Sequence, residues 1–330
     1  MLVYRKKIDV AIVCKMSLDN PMVAEGCVVK NFEDLLFTQK SCYTPVDMLS
    51  VLRMIENYSS VAFVGLPCHI QGLVNIQRTN RYKNIKYKLG LFCDSILCNS
   101  IQNVIFDYAK ITKPNKIVWK CKYLKEKGFC YRYAPINISN QAGEIKELPS
   151  SYRFALKSFF TSPRCNICQD KLNILSDISF GDPWGMSDVD WIKGETLAVC
   201  RTNIGSLILR NAYEKGYISG TYRNDYMEIV EGQVLLSRRK RASVYGKAMN
   251  LIFPDIIDNY LLTPNMRVEK HDVVWAKVSI KQFMERDKWP KKRIINKSKK
   301  VIEKTIKNRT ILENIIDKII NKITYLRNYL

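Results

Sequence analysis

The stretch that decides the fold covers residues 59–93 and reads SSVAFVGLPCHIQGLVNIQRTNRYKNIKYKLGLFC. Its hydrophobic pattern predicts a buried strand, a helix and a second strand, over Ser60 to Val64, His69 to Gln77 and Tyr87 to Phe92. This order is typical of a βαβ unit, in which the strands are parallel and the crossover is right-handed. Cys68 and Cys93 follow the two strands. Because functional groups gather beyond the carboxyl ends of parallel strands, we expect these two thiols to lie close together.

The composition is that of a folded and strongly basic chain. Its 330 residues include 53 Lys and Arg against 31 Asp and Glu, a net charge of +22, and 47% of them are hydrophobic. This hydrophobic content excludes wholesale disorder, and no apolar run reaches the ~20 residues of a membrane-spanning helix. The early apolar stretch from Ile8 to Cys14 contains Asp9, so it predicts a strand and not a signal peptide.

The chain contains eleven cysteines. An odd number in a large chain without an export signal disfavours a disulfide framework and predicts a cytoplasmic location. Metal binding, redox chemistry and burial are the remaining reasons to keep so many thiols. We interpret Cys14, Cys27 and Cys200 as buried, because they lie in apolar, β-rich runs. Cys98 is more typical of a buried helix position than of a spare metal ligand.

Three regions differ in composition. Residues 1–110 hold the βαβ unit, residues 111–250 hold a Lys- and aromatic-rich β segment and a Cys-x-x-Cys pair, and residues 251–330 form a basic tail. Amphipathic patterns predict helices over Val46 to Asn57 and Ser151 to Phe160. Together these features predict an α/β fold, with a mixed, partly parallel sheet, flanking helices and a C-terminal basic helical appendage.

The Cys-x-x-Cys pair, Cys165 and Cys168, is open to several interpretations. Such a pair occurs in zinc knuckles, in dithiol redox centres and among the ligands of iron–sulfur clusters. Structural zinc commonly uses two such pairs, and the sequence contains one. One pair plus the two strand-end cysteines suits a cluster, but the spacing by itself leaves zinc and uncoordinated thiols as alternatives.

Four segments resemble, in the same order, the motifs of the coenzyme F-420 hydrogenase/dehydrogenase beta-subunit family. They are VGLPCHIQGL at 64–73, LGLFC at 89–93, RCNICQD at 164–170 with SDISFGD at 176–182, and VCRTNIG at 199–205. Each motif alone is weakly specific. Their common order across roughly residues 25–220 identifies the chain as a member of that family.

The resemblance implies an oxidoreductase or electron-transfer subunit with FAD and at least one [4Fe-4S] cluster. Carried over position by position, the cluster ligands are Cys68, Cys93, Cys165 and Cys168. The implied partner is another subunit or an acidic electron carrier, namely ferredoxin, flavodoxin or a deazaflavin coenzyme. Because some members lie in polysaccharide biosynthesis loci, a non-catalytic scaffold or binding protein of surface polysaccharide biosynthesis is the alternative function.

Four more residues are candidate cofactor contacts. His69 follows a predicted ligand and is a candidate to contact a cluster sulfur or a flavin, although a first-turn helix histidine is the simpler interpretation. Asp182 ends a strand, where it forms either a turn or a polar contact near the cofactor. Arg201 and Thr202 offer a phosphate contact, and a solvated strand-end arginine is the alternative.

Two segments of the family pattern are absent. One is a ferredoxin-like run of repeated cysteines, and the other is the glycine-rich loop that opens the flavin half, so a short variant or a truncated chain is expected. Glycine-rich loops cradle phosphate groups. Their absence predicts weak FAD binding or none, whereas the cluster motifs are intact.

The basic excess is concentrated at the C-terminus. Residues 281–330 contain 15 basic and 5 acidic side chains and a stripe of isoleucines. This pattern predicts a basic helix that docks on an acidic partner or on the anionic inner face of a membrane, with an ordinary core helix as the alternative. Nucleic acid is disfavoured because no helix-turn-helix, zinc-finger or aromatic-interleaved strand motif is present.

Overall fold

The protein is described from a computed structural model. The structure describes residues 2, 7–17, 19–20, 23–121, 134–190, 194–223, 225–254, 266–290, 292–304 and 307. Most of the isoleucine stripe and the second half of the Lys-rich β segment, including Cys130, lie outside these ranges.

The described strands and helices alternate along the chain. The strands are β1 Val10–Met16, β2 Ala24–Val29, β3 Val46–Asp47, β4 Val61–Gly65, β5 Ile85–Leu91, β6 Pro114–Val118, β7 Ile136–Asn140, β8 Ile145–Leu148, β9 Ile178–Gly181 and β10 Leu197–Cys200. The α-helices are α1 Phe32–Leu36, α2 Leu49–Leu52, α3 Pro67–Gln77, α4 Ile101–Ala109, α5 Ser151–Phe160, α6 Pro163–Ile167, α7 Asn203–Glu214, α8 Tyr226–Gly232, α9 Leu235–Ile252 and α10 Lys270–Glu285. Residues 292–304 are also helical.

Seven strands form one mixed sheet in the order β10-β9-β5-β4-β1-β2-β3. The central neighbours β1, β4, β5 and β9 are parallel, whereas β2 runs antiparallel to β1 and β10 antiparallel to β9. A separate antiparallel sheet contains β6, β7 and β8. The predicted α/β class, with a mixed and partly parallel sheet and flanking helices, is confirmed.

The βαβ unit predicted around residues 59–93 is present as β4, α3 and β5. β4 pairs in parallel with β5, from Val61 opposite Ile85 to Gly65 opposite Gly90. α3 begins at Pro67, because proline fixes the first helical φ and lacks the N–H that this position leaves unpaired. The helix therefore starts before the predicted His69, and Cys68 lies in its first turn.

The single helix predicted from Val46 to Asn57 is wrong. Residues Val46–Asp47 form β3 beside β2, and the helix α2 begins only at Leu49. The Asp47 carboxylate accepts hydrogen bonds from the backbone amides of Leu49 and Ser50, at 2.9 and 3.3 Å. A short polar side chain in that position starts a helix, so the strand and helix are separated there.

Two hydrophobic cores pack against the two sheets. One covers the sheet with α2 and α3 and includes Ile12, Phe63 and Ile70. The other joins the small sheet to α4 and α5 around Trp119, which is fully buried. The helical part of the predicted basic tail packs on this second core, through Ile294 and Val301 among others.

The tail is also held by a polar contact. The Tyr108 hydroxyl of α4 donates a hydrogen bond to the Ile295 carbonyl at 3.1 Å. Within residues 292–304, the basic tail is therefore a helix in contact with the rest of the fold. Among the helices that the structure describes, none has the length and hydrophobicity needed to cross a lipid bilayer.

Candidate functional site

Two of the predicted ligands lie at the same edge of the large sheet. β4 ends at Gly65 and β5 ends at Leu91, and these neighbouring strands are parallel. Cys68 follows the first strand by three residues and Cys93 follows the second by two. The backbone amide of Cys93 donates to the carbonyl of Lys171 at 2.9 Å. That bond attaches the Cys93 segment to the chain that follows the Cys-x-x-Cys pair.

The Cys-x-x-Cys pair lies on the short helix α6 and its end. Cys165 is within the helix and Cys168 caps it, with the Cys168 amide donating to the Cys165 carbonyl at 3.4 Å. The Cys168 thiol is 3.5 Å from the carbonyl oxygen of Asp170. A single tight turn therefore presents both thiols, and the chain then leads directly into the segment that meets Cys93.

Cys68, Cys93, Cys165 and Cys168, hereafter the four-thiol group, share one electrostatic environment. Burial is the main cause that raises the pKa of Cys68, of Cys93 to about 12, and of Cys165. Nearby members of the group raise each of these pKa values further, because thiolates repel one another. Three separate chain segments thus bring their thiols close enough to influence each other's ionisation.

The four thiols are the donor type of both iron–sulfur clusters and structural zinc sites. Within the described ranges, no three His, Cys, Asp or Glu side chains are arranged to hold a metal ion. In a [4Fe-4S] cluster each thiolate binds a different iron, so the ligand sulfurs stand further apart than those around one zinc ion.

Hydrogen-bond donors surround the predicted ligands. The backbone amides of Cys68 and His69 hydrogen-bond to the Cys68 sulfur and act to lower its pKa, against the effect of burial. The Ile96 amide does the same for Cys165. Such bonds stabilise thiolates, and thiolates are the form that binds metal.

A buried arginine of the later helix α9 contacts the segments that carry the cysteines. The Arg238 side chain of α9 is 4% exposed. It donates to the Cys168 carbonyl at 3.0 Å and to the Asp94 carbonyl at 2.7 Å. Its charge acts to lower the pKa of both Cys93 and Cys165. Arg238 therefore links the two cysteine-bearing segments and offsets negative charge between them.

Asp94, directly after Cys93, is surrounded by cationic side chains. Its carboxylate forms ion pairs with Lys157, Arg238 and Arg241. Burial opposes ionisation of Asp94, but the charge and hydrogen bond of Lys157, followed by the charge of Arg241, lower its pKa to about 2. The carboxylate is therefore ionised at neutral pH, and the cations around the four-thiol group keep a fixed arrangement.

Asn173 ties together the ends of the two ligand-bearing strands. Its side-chain amide donates to the Gly65 carbonyl at 2.8 Å and to the Leu91 carbonyl at 3.3 Å. Asn173 is fully buried and has φ +60°, a left-handed conformation that asparagine tolerates better than most residues. Gly90 is required beside it, because a Cβ there would stand 2.5 Å from the Asn173 side chain. Asn173 thus fixes the edge from which Cys68 and Cys93 extend.

The predicted cofactor contacts Arg201 and Thr202 are engaged inside the protein. The Arg201 guanidinium donates to the Ser179 hydroxyl at 2.6 Å and to the Leu172 carbonyl at 2.9 Å. The Thr202 hydroxyl donates to the Asp177 carboxylate at 2.9 Å and accepts from the Gly205 amide at 3.1 Å. Both side chains therefore organise the junction between β9, β10 and α7.

The other two candidates also have internal partners. Asp182 forms an ion pair with Lys120 at 2.8 Å. The His69 ring nitrogen Nδ1 accepts a hydrogen bond from the Leu66 amide at 3.4 Å, and burial lowers the His69 pKa. A neutral His69 that caps α3 matches the simpler of its two interpretations, while its position beside Cys68 keeps it at the site.

Sequence reasoning missed Asn173, Asp94 and Arg238. Asp94 adjoins a predicted ligand, and that position is a signal that could have identified it. Arg238 lies 70 residues from Cys168 in a basic run of the chain, and no local pattern distinguishes it from its neighbours. Of the other cysteines, Cys200 is exposed and Cys14 and Cys27 are partly exposed, so none of the three is buried as predicted. Cys98 lies near Cys165 and just before α4, partly exposed.

Comparisons with known proteins relate the chain to one family. A family model for the C-terminal part of the coenzyme F420 hydrogenase/dehydrogenase beta subunit matches residues 58–223, a range that includes the whole four-thiol group. The coenzyme F420-dependent sulfite reductase of Methanocaldococcus jannaschii is 31% identical in an alignment of 195 positions that covers 53% of this chain and 28% of that enzyme. The chain thus corresponds to less than a third of the length of that relative.

A solved structure shows the same fold. It is that of the F420-reducing [NiFe] hydrogenase complex from Methanosarcina barkeri, with a TM-score of 0.58 and 18% identity. The match covers 78% of this chain and 86% of the chain in that complex. The predicted family is confirmed: the chain belongs to the coenzyme F420 hydrogenase/dehydrogenase beta-subunit family.

Proposed function

We propose that Cys68, Cys93, Cys165 and Cys168 hold a [4Fe-4S] cluster and that the chain serves as an electron-transfer subunit of an oxidoreductase. The observation that carries this proposal is the common environment of four thiols from three separate chain segments. Iron–sulfur clusters take thiolate ligands from separate loops in this way. When bound, such a cluster supplies one-electron transfer.

The surrounding residues perform three tasks in this proposal. The amides of His69 and Ile96 donate to ligand sulfurs, and Arg238 places a positive charge between the cysteine segments. Hydrogen bonds to the sulfurs and nearby charge are the means by which proteins adjust a cluster's reduction potential. Asp94 and Asn173 hold the segments in place, so the ligand directions are preorganised.

FAD is proposed only as a weakly held group or one supplied by a partner. Arg201, Thr202 and Asp182, the polar side chains predicted to contact it, have partners within the protein. The Arg201 guanidinium and the Thr202 hydroxyl already donate to protein groups and do not fit the role of free phosphate donors, so we derive no step through a flavin. In this proposal, the chain passes electrons to a partner subunit or to a small acidic carrier.

Charge supports an acidic partner. The net charge is +22, and an open surface cavity of about 410 Å³ is lined by cations that include Lys292, Arg293, Lys297 and Lys300. A surface of one sign accelerates association with an oppositely charged partner. A ferredoxin, a flavodoxin, a deazaflavin coenzyme and an anionic membrane surface all have the required charge, and binding that weakens with added salt is expected for each.

Anaerobic reconstitution with iron and sulfide tests the cluster. The full chain should gain iron and sulfide in equal amounts and a broad visible absorption that bleaches with dithionite. Serine at any one of the four ligand positions should remove most of the iron. Cys200→Ser is the matched control because Cys200 is exposed on β10, outside the site, and it should retain the full content.

Two results would contradict the proposal. One is a chain that binds zinc stoichiometrically, takes up no iron and stays colourless. That result would support a structural zinc site. The other is full iron content after Cys68→Ser or Cys93→Ser. Cys98→Ser provides a second control, since Cys98 lies near Cys165 and is the nearest thiol that could substitute as a ligand.

A further inference from the structure

A cavity on the C-terminal helix of residues 292–304, hereafter the tail helix, is lined by cations. Its volume is about 410 Å³, and its lining consists of Pro290, Lys292, Arg293, Asn296, Lys297 and Lys300. Of these described residues, four are basic and none is acidic. Lys292, Arg293, Lys297 and Lys300 are hereafter the cavity cations. They lie outside the four-thiol group and outside residues 58–223, the part of the chain that matches the family model.

The packing of the tail helix holds the cavity cations in place. A different side of the helix packs on the core around Trp119 through Ile294 and Val301, and the Ile295 carbonyl accepts a hydrogen bond from the Tyr108 hydroxyl at 3.1 Å. Because an α-helix rises 1.5 Å per residue, the backbone positions of the first and last cavity cations are about 10 Å apart along its axis. The cavity cations therefore form a row of charge and not a single point.

An aromatic ring positions two of the cavity cations. The Arg293 guanidinium carbon and the Lys297 ammonium nitrogen lie 4.4 and 4.6 Å from the centre of the half-buried Trp289 ring. The π face of an indole attracts a cation at this distance. Because both cations contact the same ring, two like charges are held near each other. An anion between them would replace that repulsion by attraction.

The charge of the cavity is not offset by ion pairs. Within the part of the chain that the structure describes, none of the cavity cations forms an ion pair with a carboxylate. The acidic side chains just before the cavity are paired with other cations, Glu285 with Lys281 and Asp287 with Arg286. The cavity therefore offers guanidinium, ammonium and amide donors to a ligand with several anionic oxygens.

We propose that this cavity binds a molecule that carries two or more phosphate groups. A phosphate group places up to about two negative charges and three acceptor oxygens in a small volume, so several of them match a row of cations. Arginine binds phosphate oxygens through its planar fork, and lysine binds them as a point charge. A concave site of this volume admits a small ligand, whereas an acidic protein presents a broad surface. The phosphate groups belong either to a free small molecule or to a lipid headgroup.

Calorimetric titration of the full chain with inorganic triphosphate tests the proposal, with orthophosphate for comparison. We expect one-to-one binding of triphosphate that is tighter than that of orthophosphate. The double change Arg293→Gln and Lys297→Gln removes two charge-assisted contacts and should weaken triphosphate binding at least about tenfold. The matched control, Lys299→Gln with Lys304→Gln, removes two exposed charges of the same helix outside the cavity. At physiological salt it should change the affinity by less than about twofold.

A change that keeps every charge tests the role of the ring. Trp289→Leu releases Arg293 and Lys297 from their aromatic contact, so triphosphate binding should weaken by about two- to fivefold.

Vesicles distinguish the two sources of phosphate. The chain is floated with vesicles that contain phosphatidylinositol bisphosphate, and phosphatidylglycerol vesicles of equal charge are the reference. Binding to the first vesicles alone, lost in the Arg293→Gln and Lys297→Gln variant and reversed by triphosphate, identifies a lipid ligand. Cavity-dependent binding of triphosphate without binding to vesicles identifies a free ligand.

Three results overturn the proposal. One is the absence of binding to both triphosphate and the phosphoinositide vesicles. Another is an equal loss of affinity in the control variant, which would reduce the effect to net charge. The third is equal affinity for an oligoglutamate peptide, which would indicate a surface for acidic proteins. The first and third results come from the wild-type chain, so failure of a variant to fold does not affect them. The test requires no cluster and is independent of the proposed electron-transfer function.

Discussion

The four-thiol group and the two cysteines Cys14 and Cys42 contain the same functional group in two different surroundings. In the first, burial and mutual repulsion raise the pKa values of Cys68, Cys93 and Cys165, beside the cation Arg238 and several amide donors. Away from that site, contact with Cys14 and burial raise the pKa of Cys42. Several thiols beside a fixed cation suit metal ligation. Repulsion between thiolates keeps the free thiols protonated, and metal binding releases those protons.

The largest expected effect comes from removing the cation of the four-thiol group. Arg238→Ala leaves the Cys168 and Asp94 carbonyls without their donor and removes a buried charge partner. We expect the free energy of unfolding to fall by about 3 kcal/mol, measured by urea denaturation. Arg239→Ala changes the adjacent, exposed arginine of the same helix and should change stability by less than about 0.5 kcal/mol. Equal losses would show that Arg238 has no special role.

The next effect concerns the shared strand edge. Asn173→Gly preserves the left-handed backbone but leaves the Gly65 and Leu91 carbonyls unpaired, so we expect a loss of about 2 kcal/mol. Asn173→Ala should cost about 1 kcal/mol more, because alanine is strained at positive φ. Denaturation of both variants separates the two causes. A neutral Asn173→Gly would show that the strand ends do not depend on this amide.

Overpacking of the same edge should have a smaller cost. A Cβ at Gly90 would contact the side chains of Asn173 and Ser176 at 2.5 and 2.6 Å. Gly90→Ala should therefore destabilise the protein by about 1–2 kcal/mol. Gly72→Ala is the matched control within α3, where a Cβ meets nothing within 4 Å. It should be neutral or stabilising, since alanine is favoured over glycine in a helix by up to about 1 kcal/mol. A stable Gly90→Ala would indicate that Asn173 can shift.

The smallest effect is expected from changes at Cys14 and Cys42. The double change Cys14→Ser and Cys42→Ser keeps two small hydrogen-bonding side chains, so stability should fall by about 1 kcal/mol at most. Iron content after reconstitution should equal that of the wild-type chain. Iron assays on this variant and on Cys165→Ser compare the two groups directly. A large loss of iron from the double variant would mean that the two groups are not chemically separate.

Local sequence patterns predicted much of the fold. The apolar run before Gly65, Pro67 and the periodic residues of α3 identify a strand–helix–strand unit, and the parallel pairing of β4 and β5 follows from it. The helix α5 is predicted with its observed bounds, Ser151–Phe160. The region from Val46 to Asn57 was misread because its apolar spacing suits a helix. The capping carboxylate of Asp47 and pairing with β2 divide it instead.

The sequence by itself determined which cysteines are candidates, because parallel strand ends and a Cys-x-x-Cys turn are local features that leave recognisable spacings. It also determined the family, through motifs in a fixed order. Only the tertiary structure decided what surrounds those thiols. Asn173 and Arg238 act across 108 and 70 residues of chain. Such contacts have no period along the chain, since they depend on which faces the folded sheet and helices bring together.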